Sequence, residues 1–170
     1  MLTPEKQANL NAAAAAAVRS EAHTAMPAIV TLAQWVEESG WGIHAPGNNC
    51  FGIKSYPGCW GKQSLLTCEG DDPELVEREF ATFPDLEACF RYHDRLITTG
   101  LRYAPAWTQY RETRNGQVLI VDLAGIYAPG NSVYATHVLG FFHDPRLLKA
   151  IETVRAALFP PVPTKPPESA

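Results

Sequence analysis

The sequence predicts a mainly α-helical fold of the α+β kind: a helical body carrying a small, loop-rich β-hairpin lobe. Two observations carry this prediction. Helical apolar periodicity recurs in separate segments on both sides of residues 42–74, whereas that stretch is rich in Gly, Asn, Pro and Asp, with only short apolar pieces such as "SLLTC". The 170 residues, 46% hydrophobic and 19% charged, suit one domain with a real core, placed at residues 1–159. The remainder, 160–170, is a proline-rich tail expected to be extended or disordered.

The elements follow in order. "TPEK" opens a helix over 3–21, with Thr3 as N-cap and Pro4 at the first helical position. A second helix spans 26–39, where Ile29, Leu32, Ala33 and Val36 recur at i, i+3, i+4, i+7 and form a stripe facing a core. After the loop-rich lobe the helical pattern returns at Asp85. Leu86, Cys89, Phe90, His93 and Ile97 share a face there, and Gly100 ends the segment. A further helix is expected near 105–114, stopping at "RNG". "VLIVDLAGIY" fits strand or helix by periodicity, and its length before "APGN" favours a buried helix. The last helix starts at "DPRLLKAIETVRAALF", with Asp144 as N-cap and Pro145 next. A cleft between helical body and lobe is a natural place for an extended ligand.

Composition excludes several classes. The net charge of −4 argues against nucleic acid, which needs a clustered basic surface. No apolar run approaches the roughly 20 residues of a membrane span. The alanine run 12–17 lacks leucines and a basic region before it, so it reads as helix rather than as a cleavable signal peptide. Cys50, Cys59, Cys68 and Cys89 permit two disulfides in three pairings, Cys59–Cys68 across a hairpin among them, or else buried thiols. No C-x-x-C and no H-E-x-x-H occurs, and the histidines at 23, 44, 93, 137 and 143 lack metal spacing, so neither metal nor cofactor is expected. His93 falls on an apolar helical face.

One group stands out for chemistry. In "AQWVEESGWG", residues 33–42, Glu38 lies roughly opposite the Ile29–Val36 stripe at about 100° per residue, while Glu37 sits at the stripe's edge. A carboxylate in the last helical turn faces the negative end of the macrodipole, which disfavours its ionisation, and partial burial acts in the same direction. A glutamate held protonated near neutral pH is suited to protonate a leaving oxygen. The alternative is a solvated helix terminus with Gly40 as a left-handed C-cap.

"AQWVEESGWG" is followed by "NNCFGIK", residues 48–54. The pair resembles the signature of the glucosaminidase-type peptidoglycan hydrolases, glycoside hydrolase family 73 within the lysozyme-like superfamily: A-Q-x-x-x-E-S-G-W-G, then N-N-x-F-G-I-K. Every fixed position matches. "TCEGDDPELVEREFATFPDLEACFRYHDRL" is similar, more distantly, to the family's T-x-E segment and its F-R-x-Y-x-S block, with Ala81 for arginine, Phe83 for tyrosine and Asp85 for serine. "GIYAPGNSVYA" resembles Y-A-T-D-P-x-Y-A with one extra residue between Tyr127 and Tyr134. The resemblance covers about residues 26 to 142.

The resemblance implies a lysozyme-like fold and hydrolysis of β-1,4 bonds in bacterial peptidoglycan after N-acetylglucosamine, by an endo-β-N-acetylglucosaminidase acting on the cell wall; a monomer is expected, on no motif of its own. It assigns Glu38 as general acid. Glu69, by the T-x-E match, is the second carboxylate that activates water or stabilises an oxocarbenium-like transition state. Glu69 lies in an acidic run with Asp71, Asp72 and Glu74, and Glu77 and Glu79 are its rivals. If the substrate's acetamido group is the nucleophile, a tyrosine hydroxyl orients it, and Tyr127 holds the matching position. Ser39, Trp41, Asn49, Phe51, Lys54 and Tyr134 are the expected substrate contacts; the alternatives are Trp41 as a wedge between the helix end and the lobe, Phe51-Gly52-Ile53 as a packed turn, and Ser39 bonding locally. Two enzymes on the same scaffold, a lytic transglycosylase and a muramidase, are alternatives, as is a glycan-binding module without turnover.

Overall fold

The computed structural model describes residues 1–69 and 72–160, except for the side chains of 68, 69 and 72–74. Among the described residues seven α-helices and one antiparallel hairpin form the fold: α1 (Pro4–Thr24), α2 (Ala28–Ser39), β1 (Gly61–Glu69), β2 (Asp72–Thr82), α3 (Leu86–Thr99), α4 (Ala104–Thr113), α5 (Gly116–Tyr127), α6 (Tyr134–Phe142) and α7 (Pro145–Leu158).

Local chemistry sets most helix starts. The Thr3 hydroxyl accepts from the Lys6 N–H at 3.3 Å, with Pro4 next in the chain. Asp85 accepts from the Ala88 N–H at 2.7 Å, so it supplies the cap that a serine would. Asn115 accepts from Gln117 and Val118, and Asp144 from Arg146 at 2.8 Å ahead of Pro145. Each satisfies an N–H that the first turn leaves orphaned. The alanine run lies within α1, where Ala13, Ala14, Ala16 and Ala17 are buried; their small side chains let α1 pack closely on its neighbours. "VLIVDLAGIY" is helical, within α5.

Three expectations need correction. The hairpin is longer than "SLLTC" suggested: Gly61 pairs with Thr82 at its base and Glu69 with Asp72 near its tip, with an irregularity between Thr67 and Glu69. A seventh helix, unexpected from the sequence, is α6, which begins at Tyr134 within the "GIYAPGNSVYA" stretch, where its short length and the loop before it hid the helical period. Above all, α2 is not a one-sided amphipathic helix. Val30, Thr31, Leu32, Ala33, Gln34, Trp35 and Val36 are all buried, while Ile29 is only partly so. The reason is that α2 serves two apolar clusters. Leu32, Trp35 and Val36 join α1, α3, α7 and the lobe, whereas Val30 and Ala33 join α4, α5 and α6. A helix that is apolar all round is a buried one.

The lobe is docked by the stretch that resembles N-N-x-F-G-I-K. The Asn49 amide donates to the Ile53 and Ala81 carbonyls at 2.8 and 2.9 Å, and its oxygen accepts from the Ile53 N–H at 3.0 Å. Ala81 N–H returns a bond to Ile53 at 2.9 Å, and Ser55 N–H donates to Glu79 at 3.0 Å, so residues 53–55 run along β2. Asn48 donates to the Phe83 carbonyl at 3.0 Å. Cys50, Cys59 and Cys89 are free thiols; the Cys68 side chain lies outside the described residues. The Cys50 N–H meets the Cys89 sulfur at 3.4 Å, which ties the same stretch to α3.

Candidate active site

Glu38 stands in the last turn of α2, and the chain after it turns away abruptly. Gly40, Trp41 and Gly42 are all left-handed, at φ 57°, 68° and 78°. Gly40 N–H closes the helix on Val36 at 3.0 Å, the left-handed cap expected of it. A side chain at Gly42 would strike the Trp35 ring at 3.0 Å, so glycine is required by both space and backbone. Trp41 is not glycine and is held in this conformation by its surroundings. Its ring packs edge-on against Trp35 and Phe141, Arg146 lies 4.8 Å over its face, and Asn9 binds its carbonyl at 3.1 Å. "SGWG" thus ends the helix at Glu38 and fixes the carboxylate's position.

The Glu38 side chain is half-buried and lies beside the Tyr134 hydroxyl. Burial raises its pKa to about 7; the Tyr134 hydrogen bond pulls it back somewhat, and the neighbouring Glu37 charge adds to the rise. Glu37 itself binds His137 of α6 at 3.0 Å. Tyr134 stacks on Tyr127 with ring centroids 5.9 Å apart, and the Tyr127 hydroxyl donates to the Phe51 carbonyl at 3.3 Å. Both hydroxyls are pushed well up, first by burial and then by the Glu38 charge, so each is a neutral donor at any working pH. The arrangement is an acid that is half protonated near neutrality, beside two fixed O–H donors at a junction of α2, α5, α6 and the 49–53 stretch.

The structure therefore brings together Glu38, Tyr127, Tyr134 and the Phe51 backbone. It turns five expected sugar contacts inward, Tyr134 at 2% exposed among them. Ser39 is 0% exposed, with its hydroxyl between the Trp35 carbonyl at 2.6 Å and the Gly42 N–H at 2.8 Å. Trp41 is 8% exposed and wedges the helix end. Asn49 spends its amide on the lobe backbone. Phe51, 4% exposed, lies flat on His93 at 3.9 Å and edge-on to Phe90. Their side chains are spent on packing and hydrogen bonds around the helix end and the lobe. Lys54 is exposed and pairs by its backbone with Phe80 of β2.

Glu69 has its backbone near the hairpin tip, opposite Asp72; its side chain is outside the described residues. Of its rivals, Glu79 is exposed and bound to Lys62 at 3.0 Å and Ser55 at 3.2 Å, which hold its carboxyl below the usual range. His93 is fully buried and bonds Asp94 at 3.0 Å, which also takes the Ser20 and Thr31 hydroxyls. No group of three metal-ligating side chains occurs among the described residues.

Sequence reasoning missed Gln34. It is buried one turn before Glu38 and donates to the Tyr134 hydroxyl at 3.1 Å. Its spacing, i to i+4 from the acid, was the available signal.

Comparison with known proteins follows the same lines. The family model described as "Glucosaminidase: Mannosyl-glycoprotein endo-beta-N-acetylglucosaminidase" matches residues 14–144. The fold is similar to the glycoside hydrolase domain of FlgJ from Salmonella typhimurium, at 23% identity and TM-score 0.65 over 85% of this chain and 98% of that one. It is similar to a peptidoglycan hydrolase from Sphingomonas sp. A1, at 22% identity and TM-score 0.70 over 87% and 94%. The catalytic domain of the autolysin Auto from Listeria monocytogenes matches at 21% identity and TM-score 0.70 over 88% and 89%. The likeness to these three is one of overall fold, a lysozyme-like glycoside hydrolase fold. No curated protein sequence matches the chain.

Proposed function

The chain belongs to the glucosaminidase family and is a glycoside hydrolase, and from that membership we propose that it cleaves the β-1,4 bond after N-acetylglucosamine in bacterial peptidoglycan, with Glu38 as general acid. The observation that carries this reading is the half-buried Glu38, its pKa raised to about 7 mainly by burial, at the end of α2. An acid with that value is partly protonated where a wall enzyme works, and it can still give its proton to the glycosidic oxygen as the C–O bond breaks. The similar structures, of a peptidoglycan hydrolase and an autolysin, support the wall as substrate.

In this reading residues 1–159 are the catalytic unit, acting as a monomer without a cofactor. Attack at the anomeric carbon comes from a water activated by the Glu69 carboxylate or from the substrate's own acetamido oxygen. Water then supplies the hydroxyl of the new reducing end and returns a proton to the site. Tyr127 is the donor for the acetamide: its 3.3 Å bond to the Phe51 carbonyl is long, and a substrate oxygen can replace it. Lys54, exposed beside β2, remains as a substrate contact, while Tyr134, 2% exposed, lies beside Glu38 rather than open to a sugar.

The test is mass spectrometry of fragments released from purified peptidoglycan by the protein and by Glu38→Gln in parallel. Reducing N-acetylglucosamine ends, absent with Glu38→Gln, are expected. Reducing N-acetylmuramic acid would make the enzyme a muramidase, and anhydro-muramyl ends a lytic transglycosylase. Binding without fragments from either protein would leave a glycan-binding module. Full activity in Glu38→Gln would remove Glu38 from the role.

A further inference from the structure

We propose that the outer face of α3 carries a second contact for the cell wall, in which Trp60 takes a sugar ring and Arg91 and Arg95 take carboxylates of the peptides attached to the glycan. The inference rests on peptidoglycan being the substrate, and it adds a surface that the candidate active site does not include. α3 turns Phe90, His93 and Ile97 into the body, where His93 meets Phe51 and Tyr127. At about 100° per residue, Ala88, Arg91, Tyr92, Arg95 and Thr99 stand on the opposite face. Against that face Trp60 helps enclose a hollow of about 680 Å³, and none of Glu38, Tyr127 and Tyr134 lines it. A second hollow of about 500 Å³ shares Arg91, Arg95 and Thr99 with the first and runs on to His23 at the end of α1 and Trp107 of α4. The two form one groove along α3, of a size that holds a ligand.

Two chemistries stand side by side in this groove. Trp60 is 62% exposed, yet Phe83 backs it at 5.6 Å between ring centroids. Phe83 packs in turn on Tyr92 at 5.8 Å, and Tyr92 stacks on Tyr56 at 4.5 Å. A ring supported in this way is already ordered, so a ligand that covers it gains apolar contact at little entropic cost. Pyranose rings have flat C–H faces that suit it. The acidic side chains nearby are committed: Asp85 caps the Ala88 N–H, and Glu87 binds both Arg19, at 3.3 Å, and Arg91. Among the described residues the buried Arg91 Nε has no partner, and the exposed Arg95 guanidinium has neither ion pair nor hydrogen bond. In a chain of net charge −4 the groove therefore keeps a local surplus of positive charge and a free fork for a carboxylate. Sugar rings and free peptide carboxylates occur together on peptidoglycan, and a ligand with only one of the two leaves half of the groove unused. A surface that grips one part of the polymer while Glu38 works on another raises the local concentration of bonds to be cut.

The experiment is co-sedimentation of the chain, carrying Glu38→Gln so that the polymer stays intact, with purified insoluble peptidoglycan and with the same material after an amidase has removed its peptides. Trp60→Ala should weaken binding to both materials about tenfold, and Trp60→Tyr, which keeps a ring, should restore most of it. Arg95→Glu should weaken binding to the intact polymer by a similar factor and leave binding to the peptide-free glycan unchanged. With Glu38 in place, Trp60→Ala and Arg95→Glu should both release reducing ends from a short, soluble, peptide-free glycan at the unaltered rate. Both side chains are exposed, and thermal denaturation checks that each variant folds. Unchanged wall binding in folded Trp60→Ala and Arg95→Glu overturns the proposal. Equal weakening by Arg95→Glu on both materials does so too, because it removes the peptide contact. Slowed cleavage of the short glycan also overturns it, by making the groove part of the catalytic cleft. Failure of the underlying reading is separate: the unaltered protein then releases no reducing ends from peptidoglycan.

Discussion

Trp41 holds a backbone conformation, φ 68°, that suits glycine and costs a bulky residue on the order of 1–2 kcal/mol. Such strain persists only where packing outweighs it, and here the Trp35 and Phe141 edges and the Arg146 cation supply that packing. Trp41→Ala should therefore lower stability by about 3–5 kcal/mol in a denaturant titration. A sugar platform would behave differently, with unchanged stability and a raised KM. Glu38 offers the complementary residue-scale outcome. With its pKa near 7, activity should decline as the pH rises through about 7, where the carboxyl loses its proton. Glu38 was legible in the sequence because helix ends and their capping glycines are local chemistry. Gln34 was not, because its partner Tyr134 is a hundred residues away.

At the scale of elements, the lobe and α3 are joined through side chains that have no sugar-facing role. Cys50 and Cys89, both buried, meet between the 49–53 stretch and α3, and burial pushes the Cys89 thiol far up, which makes it a poor nucleophile. Cys59 sits in a partly exposed turn before β1. In a Cys68→Ser background, a thiol reagent should modify Cys59 in the native protein and reach Cys50 and Cys89 only on unfolding; mass mapping of labelled peptides reads this directly. The cysteine count alone allowed disulfides or thiols, since pairing depends on which loops the fold brings together. The caps tell the opposite story. Thr3, Asp85 and Asp144 were readable because each acts on N–H groups within three residues of itself.

For the whole molecule, the two apolar clusters share α2, and that sharing buries the carboxylate standing at its end. The burial has a signature in stability. Glu38 has a raised value in the folded state, so its contribution is fully present below its ordinary value of 4.5 and is lost as pH rises through about 7. Asp144, lowered chiefly by the Arg146 guanidinium, acts in the other direction: its contribution is present above its ordinary value of 3.8 and is lost as pH falls through its folded value. These two groups together favour the folded state most between about pH 4 and 5. Glu38→Gln removes the upper slope. Relative to the unaltered protein it should gain about 1–3 kcal/mol between pH 4.5 and pH 8, measured by chemical denaturation at both.

The sequence by itself determined the helices whose ends carry their own caps, the hairpin lobe between them, and the acid at the end of α2, because each depends on neighbours in the chain or on a contiguous motif. Tertiary structure alone decided which motif residues face the cleft. Ser39, Trp41, Asn49 and Phe51 have side chains suited to holding a sugar, yet the turn after α2 and the docking of the lobe use all four internally. It also decided that α2 is enclosed on every side and that Gln34, Tyr134, Tyr127 and Glu38 converge. The reason is physical: periodicity records that a face is apolar or polar, and only the packing of distant helices decides what meets it.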